Sequence, residues 1–310
     1  MQYIQIKTSR ALNVDFKELK RQYLYASINP YIGCFHRCRY CYVQSEKYSR
    51  GEKKFFDIVK VKTNIIEKLI AEIARYKQIC NSGVIYLGTA TDPYQSVESE
   101  YHLSRQIMEI LLKYTSYNIH LFTKSVFILN DIDVLEKNKN RVAVSVSLNC
   151  INEKYEKIFE PFASSQQERL EVIRTLNRKS IKCGIAIMPV IPYVTDSEES
   201  LTELFSKIKN SCASYVWFDF LTLRNVKNKV DGNCSQKDIF FNVLGKYLPE
   251  LEEIYNFLYR SSISPNIQYK KKIEKKIFDL SKKFDIRCSA PNFSYKNDFF
   301  PSGKQLFFNF

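Results

Sequence analysis

Three cysteines lie close together near the amino-terminal end of the chain, in the segment NPYIGCFHRCRYCYVQ at residues 29–44. They are Cys34, Cys38 and Cys41, and their spacing is C-x3-C-x2-C. Three thiolates can hold three corners of an iron–sulfur cubane and leave the fourth iron without a protein ligand. An open metal position can bind a cofactor or substrate directly, whereas a cluster with four cysteines passes electrons. The segment therefore predicts a reactive iron–sulfur site.

A structural zinc site is the alternative for the same three cysteines, with His36 or the distant Cys288 as the fourth ligand. Structural zinc sites usually pair two knuckles, and no second C-x2-C occurs in this chain. The spacing thus favours the cluster. A zinc-stabilised nucleic-acid-binding module without catalysis remains the alternative from another functional class.

Strand-like runs alternate with helical stretches along most of the chain, which predicts parallel βαβ units. The helices are expected near residues 63–79, 99–115, 127–138, 165–179 and 197–210. The candidate strands are YLYASI (23–28), VIYLGTA (84–90), NIHLFTKS (118–125), RVAVSVSLN (141–149), IKCGIAIMPV (181–190) and YVWFDFLTL (215–223).

The strand at residues 141–149 has two different faces. One face carries Val142, Val144, Val146 and Leu148, and the other carries Ala143, Ser145, Ser147 and Asn149. A strand buried under helices on both faces would be apolar throughout, whereas a barrel strand that lines a cavity has a small or polar inner face. Residues 181–190 repeat the pattern, with Cys183 on the outward face. The fold class predicted is α/β, a partial (β/α)6 TIM-type barrel.

The alternation stops near residue 234, and two helical stretches follow at 236–259 and 267–285. We therefore expect an N-terminal segment (1–22), a barrel (23–233) and a C-terminal helical and tail extension that packs on the barrel (234–310). The second stretch has lysines around an apolar stripe formed by Ile267, Ile273, Ile277, Leu280 and Phe284. It is either a solvated outer helix or a surface that contacts phosphates.

Five segments in order resemble the radical S-adenosylmethionine (radical SAM) enzymes, in the branch related to spore photoproduct lyase. They are NPYIGCFHRCRYCY, GTATDPYQSVE (88–98), TKS (123–125), FEPFASSQQERLEVIRTL (159–176) and PVIP (189–192), and the resemblance extends from about Tyr23 to Arg224. It implies that Cys34, Cys38 and Cys41 ligate a [4Fe-4S] cluster whose open iron chelates S-adenosylmethionine. Reductive cleavage would then yield a 5'-deoxyadenosyl radical that abstracts hydrogen from a substrate.

The same resemblance implies which residues bind the cofactor. They are Gly88, Thr91, Lys124, Ser145 and Ser147, at or near the carboxyl ends of strands, where barrel sites are built. The alternative is that the lysine is solvated and the serines only fill space. Among the remaining cysteines, Cys183 lies on an outward strand face, where a buried thiol is ordinary core.

Tyr40 and Tyr42 flank the last cluster cysteine, and the family resemblance makes them candidates for a hydrogen-atom relay; the alternative is packing of the loop. One position departs from the family. Spore photoproduct lyase has a hydrogen-donating cysteine where alignment on Asp92 places Thr89. Because the threonine O–H bond is far stronger than a thiol S–H bond, the chain is not expected to be that lyase.

The formal charge of +14 and the isoelectric point near 9.2 indicate attraction to a polyanion. We therefore expect DNA or RNA as the substrate, for repair or modification, with a small molecule or peptide as the alternative. A lysine-rich genome would explain the same charge. The chain shows neither a membrane span nor a secretion signal, which predicts a cytoplasmic protein. An electron donor such as flavodoxin or ferredoxin is the expected partner.

The last eight residues, GKQLFFNF, offer a second partner prediction. Gln305 and Leu306 followed by phenylalanines resemble the short peptides by which bacterial DNA-processing proteins dock on the sliding clamp, although Asn309 interrupts the usual ending. Packing of this tail on its own barrel is the alternative, since exposed aromatic side chains are costly in water.

Overall fold

The computed structural model describes residues 2–45, 56–225 and 235–289. The strands of this part of the chain are β1 (Gln2–Ile6), β2 (Leu12–Val14), β3 (Tyr23–Ile28), β4 (Tyr31–Ile32), β5 (Ile58–Lys62), β6 (Ser82–Leu87), β7 (Asn118–Thr123), β8 (Val142–Ser147), β9 (Cys183–Val190) and β10 (Val216–Phe220). The helices are α1 (Phe16–Leu19), α2 (Ile65–Tyr76), α3 (Glu98–Tyr101), α4 (Leu103–Tyr114), α5 (Ile132–Lys137), α6 (Glu153–Phe159), α7 (Gln166–Arg178), α8 (Glu198–Asn210), α9 (Gln236–Tyr247), α10 (Glu252–Leu258) and α11 (Ile267–Lys283).

The main sheet has seven strands in the order β10-β9-β8-β7-β6-β3-β2. From β3 to β10 neighbouring strands are parallel, and β2 adds to β3 in the antiparallel direction. The six parallel strands follow one another in chain order, as successive βα units require. The partial (β/α)6 barrel predicted from the sequence is confirmed, and all six candidate strands are present.

A second sheet, in the order β1-β5-β4, was not expected from the sequence. β1 pairs with β5 in parallel, and the two-residue β4 pairs with the other edge of β5. β4 is too short to give a periodic signal, and β1 is mostly exposed, so it has no buried face to reveal it. This sheet matters for the site because the three-cysteine segment begins immediately after β4.

Two predicted helices are interrupted in the structure. The helix expected at 99–115 divides into α3 and α4, because His102 adopts a left-handed backbone conformation with φ of 49°. The stretch expected at 236–259 divides into α9 and α10 around a short 3-10 turn that begins at Pro249. Proline is tolerated in a first helical turn and not in a helix interior, which explains the break.

The outer faces of the strands form the main hydrophobic core under the helices. Val142, Val144 and Val146 of β8 and Cys183 of β9 all belong to it, as the alternation in the sequence predicted. The inner faces differ, because aromatic side chains fill the lower part of the barrel lumen. These inner side chains are Tyr86, His120, Phe122, Tyr215 and Trp217.

The C-terminal helix α11 packs against α8 through Ile273, Ile277 and Leu280, which are buried. Ile267 belongs to the predicted apolar stripe and is nevertheless exposed. Within the described ranges, no helix combines the length and the apolar character needed to cross a membrane. The predicted clamp-docking peptide, Gln305 to Phe310, lies outside the described residues, and the domain boundaries stay predictions.

Candidate functional site

The three clustered cysteines occupy a loop at the carboxyl end of β3, just after β4. Gly33 precedes this loop with φ of 89°, a conformation that glycine adopts at little cost. Two tight turns follow, in which Arg37 N donates to Cys34 O and Cys41 N donates to Cys38 O, the latter at 3.0 Å. We call residues 33–42 the cysteine loop. Its turns keep the three cysteines within one short segment.

The motif after β6 holds the first half of the cysteine loop. The Thr91 hydroxyl donates to Gly33 O at 2.6 Å, and the Gln95 amide donates to the same carbonyl at 3.2 Å. Gln95 Oε1 also accepts the backbone N–H of Phe35 at 3.0 Å. Because Gln95 is fully buried, these bonds are shielded from water and fix the direction in which the chain enters the loop.

The second half of the loop is held from the other side of the barrel. Arg39 N donates to Phe159 O at 2.9 Å at the end of α6, and the Tyr40 hydroxyl donates to the Glu160 carboxylate. Gln236, at the start of α9, donates to Tyr40 O at 2.8 Å. The C-terminal extension therefore contributes directly to the cysteine loop.

Glu160 and Arg169 form a buried ion pair behind Tyr40, with N and O 2.5 Å apart. Burial alone would raise the pKa of Glu160, but Arg169, Lys124 and Tyr40 together hold it below its usual value. Arg169 also donates to the backbone carbonyls of Ser147 and Ser164. The pair thus ties the end of β8 and the start of α7 to the cysteine loop.

Burial raises the pKa of all three clustered thiols, in the case of Cys34 to about 12. For Cys38 and Cys41, the positive charge of Lys124 acts in the opposite direction. Protein ligands of iron and zinc are thiolates, so protons must leave when metal binds. Lys124 is the cation placed to stabilise the negative charge that results.

Within the described ranges, no three His, Cys, Asp or Glu side chains converge in the way a single metal ion requires. In a cubane each cysteine binds a different iron, so the three sulfurs need not converge on one point. The structure also locates the two residues proposed as a fourth zinc ligand. The backbone of Cys288 pairs with Val216 at the beginning of β10, at the opposite end of the barrel, and His36 Nδ1 lies 3.4 Å from Asp92 Oδ2.

Lys124 and Ser147 lie at the carboxyl ends of β7 and β8, as the sequence predicted. Burial opposes the charge of Lys124, but Cys38, Glu160 and Asp92 raise its pKa, so it is a cation. Its ammonium lies 5.9 Å from the centre of the Tyr40 ring, and no carboxylate of the described chain is within ion-pair distance of it. A buried cation without a paired carboxylate is suited to bind an anionic ligand group.

Asn149 continues the inner face of β8 beyond Ser147 and was missed as a site residue. Its side chain is 5% exposed, and its Nδ2 donor makes no hydrogen bond within the described structure. A buried unsatisfied donor is costly, and a bound ligand is one way to satisfy it. The signal was present in the sequence, because Asn149 follows Ala143, Ser145 and Ser147 at intervals of two residues.

Ser145 lies on the lumen face of β8, as the alternation predicted, but its hydroxyl already has partners within the chain. It lies deeper in the barrel, fully buried, and its hydroxyl contacts His120 Nε2 at 2.8 Å, the Tyr215 hydroxyl at 2.9 Å and Trp217 Nε1 at 3.2 Å. One hydroxyl donates once and accepts twice, so these three partners use its full capacity. Burial lowers the pKa of His120 to about 3, which keeps the imidazole neutral. Ser145 therefore supports the lumen and has no bond left for a cofactor.

Two other predicted cofactor residues also have structural partners. Gly88 has φ of 92°, and a Cβ there would lie 2.8 Å from Phe122 O and 2.5 Å from Pro93 Cδ, so packing within the chain already requires glycine. Thr91 donates to Gly33 O and accepts from Gln95 at 2.9 Å. Thr91 positions the cysteine loop and Gly88 allows close packing within the chain, and neither needs a cofactor to explain it.

The two candidate relay tyrosines differ in their surroundings. Tyr40 is buried with its hydroxyl bound to Glu160, whereas the partly buried Tyr42 donates to Thr89 O at 2.6 Å. Thr89 Oγ1 in turn accepts a hydrogen bond from Asn29 at 3.1 Å. Tyr42 thus lies beside the position where the family resemblance places a hydrogen-donating cysteine, and Tyr40 belongs to the support of the loop.

The sequence profile of the Radical SAM superfamily matches residues 28–205, which include the cysteine loop, Lys124 and Asn149. The chain belongs to the radical SAM superfamily. Radical SAM enzymes use a [4Fe-4S] cluster and S-adenosylmethionine, and these are its cofactors. The fold and relatives support the branch related to spore photoproduct lyase.

Three comparisons describe the similarity within the radical SAM superfamily. An uncharacterized protein of Methanocaldococcus jannaschii is 28% identical over 242 residues, covering 76% of this chain and 87% of its own length. Spore photoproduct lyase of a Geobacillus strain is 26% identical over 205 residues, covering 64% and 54% respectively. A spore photoproduct lyase variant with bound AdoMet and dinucleoside spore photoproduct shares the fold, with a TM-score of 0.67, 16% identity and coverage of 90% and 78%.

The residues at the carboxyl ends of the strands fit the radical SAM cofactors. Three thiols lie on one loop, and among the described residues the buried Lys124 has no carboxylate within ion-pair distance and the buried Nδ2 of Asn149 has no hydrogen-bond partner. When bound, the cluster supplies the electron that cleaves S-adenosylmethionine into methionine and a 5'-deoxyadenosyl radical. Cys34, Cys38 and Cys41 would hold the cluster, and Lys124 and Asn149 would hold S-adenosylmethionine.

Proposed function

We propose that this radical SAM protein generates a 5'-deoxyadenosyl radical and abstracts hydrogen from a nucleic acid, for repair or modification. Cys34, Cys38 and Cys41 ligate the cluster in this proposal. Lys124 binds the carboxylate of the methionine moiety, while Ser147 and Asn149 donate to the ribose hydroxyls of S-adenosylmethionine. The observation that carries the proposal is the buried cation of Lys124, which has no carboxylate within ion-pair distance among the described residues. The buried Nδ2 of Asn149, which has no hydrogen-bond partner among the same residues, supports it.

Two observations support nucleic acid as the substrate. The chain carries a formal charge of +14, and α11 presents exposed lysines on the outer surface of the barrel: Lys271, Lys272, Lys275, Lys282 and Lys283. In the lumen, the rings of Phe122 and Trp217 lie 5.5 Å apart at the level below Ser147, and they are suited to contact a flat base. The relatives include a lyase whose solved structure binds a dinucleoside photoproduct.

The reaction itself is proposed to differ from that of spore photoproduct lyase. Thr89 has a hydroxyl where a donor thiol is expected, and this hydroxyl is held by Asn29. The final hydrogen atom must then come from another group, and Tyr42 is the candidate because it contacts Thr89 directly. A small molecule or a peptide remains the second substrate class.

An anaerobic assay tests this proposal. The reconstituted protein is incubated with S-adenosylmethionine, dithionite and either a DNA or an RNA oligonucleotide, each deuterated at the sugar and base carbons. Transfer of deuterium into 5'-deoxyadenosine is expected with one of the nucleic acids and should fall as salt is raised, since phosphate contacts release counterions. Cleavage of S-adenosylmethionine without deuterium transfer from either oligonucleotide would favour a small molecule or peptide.

A further inference from the structure

The outer surface of the cysteine loop carries two arginines on either side of Cys38. Cys38 is 8% exposed, while its neighbours Arg37 and Arg39 are partly exposed. The guanidinium of Arg37 lies over the ring of Phe162 at 5.4 Å, and that of Arg39 lies over the ring of Tyr247 at 6.0 Å. We call Arg37, Arg39, Phe162 and Tyr247 the outer arginine surface.

The charge of this surface is mostly positive. Arg37 pairs with Asp57 at 2.6 Å, but no carboxylate of the described chain lies within ion-pair distance of Arg39. The exposed Lys246 adds a third cation, with its ammonium 5.1 Å from the centre of the Tyr247 ring. Phe162 is 55% exposed, so the surface combines cations with an accessible aromatic ring. Cations and aromatic anchors together are typical of protein-binding surfaces.

The backbone at Arg37 shows that a side chain is kept there at a cost. Arg37 has φ of 52°, in the left-handed region where glycine is normally preferred. Glycine would suit this conformation better, yet the position holds the largest cation available. A strained residue in a loop that is fixed on both sides indicates a function for its side chain.

In the proposed function Cys38 holds the cluster, and it is buried between two partly exposed arginines. An electron carrier that contacts Arg37 and Arg39 would therefore lie next to a cluster cysteine. We propose that the outer arginine surface docks an acidic one-electron carrier protein of the flavodoxin or ferredoxin class. One electron passes from the reduced carrier to the oxidised cluster, and the carrier leaves oxidised by one electron. This inference rests on the proposed function.

Binding of the carrier is measured first, without S-adenosylmethionine. The reconstituted protein is titrated with purified acidic flavodoxin and, separately, with a purified acidic [2Fe-2S] ferredoxin, at two salt concentrations. The variants are Arg39→Glu, Arg39→Gln and Arg37→Gly, the last of which removes the cation and relieves the backbone strain. Arg178→Gln is the matched control, because it removes an exposed arginine at the far end of α7. Iron content confirms that each variant carries its cluster.

At low salt we expect the unmodified protein and Arg178→Gln to bind one carrier with equal affinity, and Arg39→Glu to bind about tenfold more weakly or worse. Arg39→Gln and Arg37→Gly should lie between these limits and show less salt dependence. The reduced carrier should reduce the cluster of the Arg39 and Arg37 variants slowly. Dithionite needs no docking site and should reduce the cluster of these variants at the rate of the unmodified protein. If dithionite does not support cleavage of S-adenosylmethionine by the unmodified protein, the proposed function is wrong. The carrier affinities test the docking surface independently of that result.

Three outcomes would overturn the docking proposal. The first is absence of salt-dependent binding of either carrier by the unmodified protein. The second is equal affinity in the Arg39 variants and Arg178→Gln. The third is a loss of oligonucleotide binding in Arg39→Glu with carrier binding intact, which would make this surface a nucleic-acid contact instead.

Discussion

Glu160 and Arg169 form an ion pair from which water is excluded on both sides, since their side chains are 3% and 1% exposed. The pair lies directly behind the Tyr40 hydroxyl and connects α7 to the cysteine loop. Buried ion pairs of this kind contribute little net stability, but removal of one partner leaves an uncompensated charge. Its value here is positional, because it fixes the loop that carries all three thiols.

Arg169→Met should lower the free energy of unfolding by about 3 to 5 kcal/mol and loosen the cysteine loop. Arg174→Met is the matched control on the same helix, where the ion pair with Glu171 is partly exposed and contributes at most about 1 kcal/mol. Anaerobic urea denaturation of both variants measures the difference. An equal loss in the two variants would show that the buried pair has no special role.

Cys34→Ala, Cys38→Ala and Cys41→Ala should each abolish the cluster, because a cubane held by two cysteines is not retained. Cys183→Ala should keep its iron, since Cys183 lies in the core on the outward face of β9. Iron and sulfide content and the charge-transfer absorption near 400 nm, which comes from the cluster, provide the measurement. A colourless anaerobic preparation with one zinc per chain would contradict the cluster.

Lys124→Met removes the cation with little change in length and should weaken S-adenosylmethionine binding by about 1.5 to 3 kcal/mol. Asn149→Ala should cost about 0.5 to 1.5 kcal/mol, as expected for a neutral hydrogen bond. Ser145→Ala should leave the affinity unchanged and lower only stability, because its hydroxyl is fully used within the lumen. Equilibrium dialysis with cluster-loaded protein measures the loss of affinity in the three variants. The reverse order of losses would show that S-adenosylmethionine binds elsewhere in the barrel.

Tyr42→Phe should leave formation of the 5'-deoxyadenosyl radical intact and reduce the yield of substrate product, if the hydroxyl relays the final hydrogen atom. Tyr40→Phe should instead destabilise the fold, because Glu160 loses a buried donor. The ratio of product to 5'-deoxyadenosine separates these effects from a general loss of activity. Unchanged product yield in Tyr42→Phe would exclude the relay.

Glu98 should make stability depend on pH. Burial raises its pKa from 4.5 to about 7, although Tyr31 and Ser104 donate hydrogen bonds to it. The folded state therefore holds a proton that the unfolded state releases, so this contribution to stability is present below pH 4.5 and is lost as pH rises through 7. Glu98→Gln carries no such charge. Its free energy of unfolding, compared with that of the unmodified protein, should therefore rise by about 2 kcal/mol between pH 5 and pH 8. Thermal unfolding of both proteins across this range tests the sign.

The sequence by itself determined the cofactor chemistry and the main fold. The spacing of Cys34, Cys38 and Cys41 is a local property, and so are the alternation of β8 and the succession of strands and helices. Such signals survive in the sequence because they arise from neighbours along the chain. The position of Lys124 at a strand end also followed from the length of the strand-like run of residues that precedes it.

Only the tertiary structure decided which of the predicted polar residues are available to a ligand. Ser145 and Ser147 share one face of β8, but Ser145 contacts His120 of β7, Trp217 of β10 and Tyr215 just before β10. No pattern within β8 specifies those partners. The pairing of Glu160 with Arg169 and the contact of Gln236 with the cysteine loop, 196 residues away from Tyr40, likewise depend on the closure of the sheet. The hydrogen-bond capacity of a side chain is used by whichever groups the fold brings close to it. The local sequence could therefore predict which residues belong to the site, but not which of them bind a ligand and which support the structure.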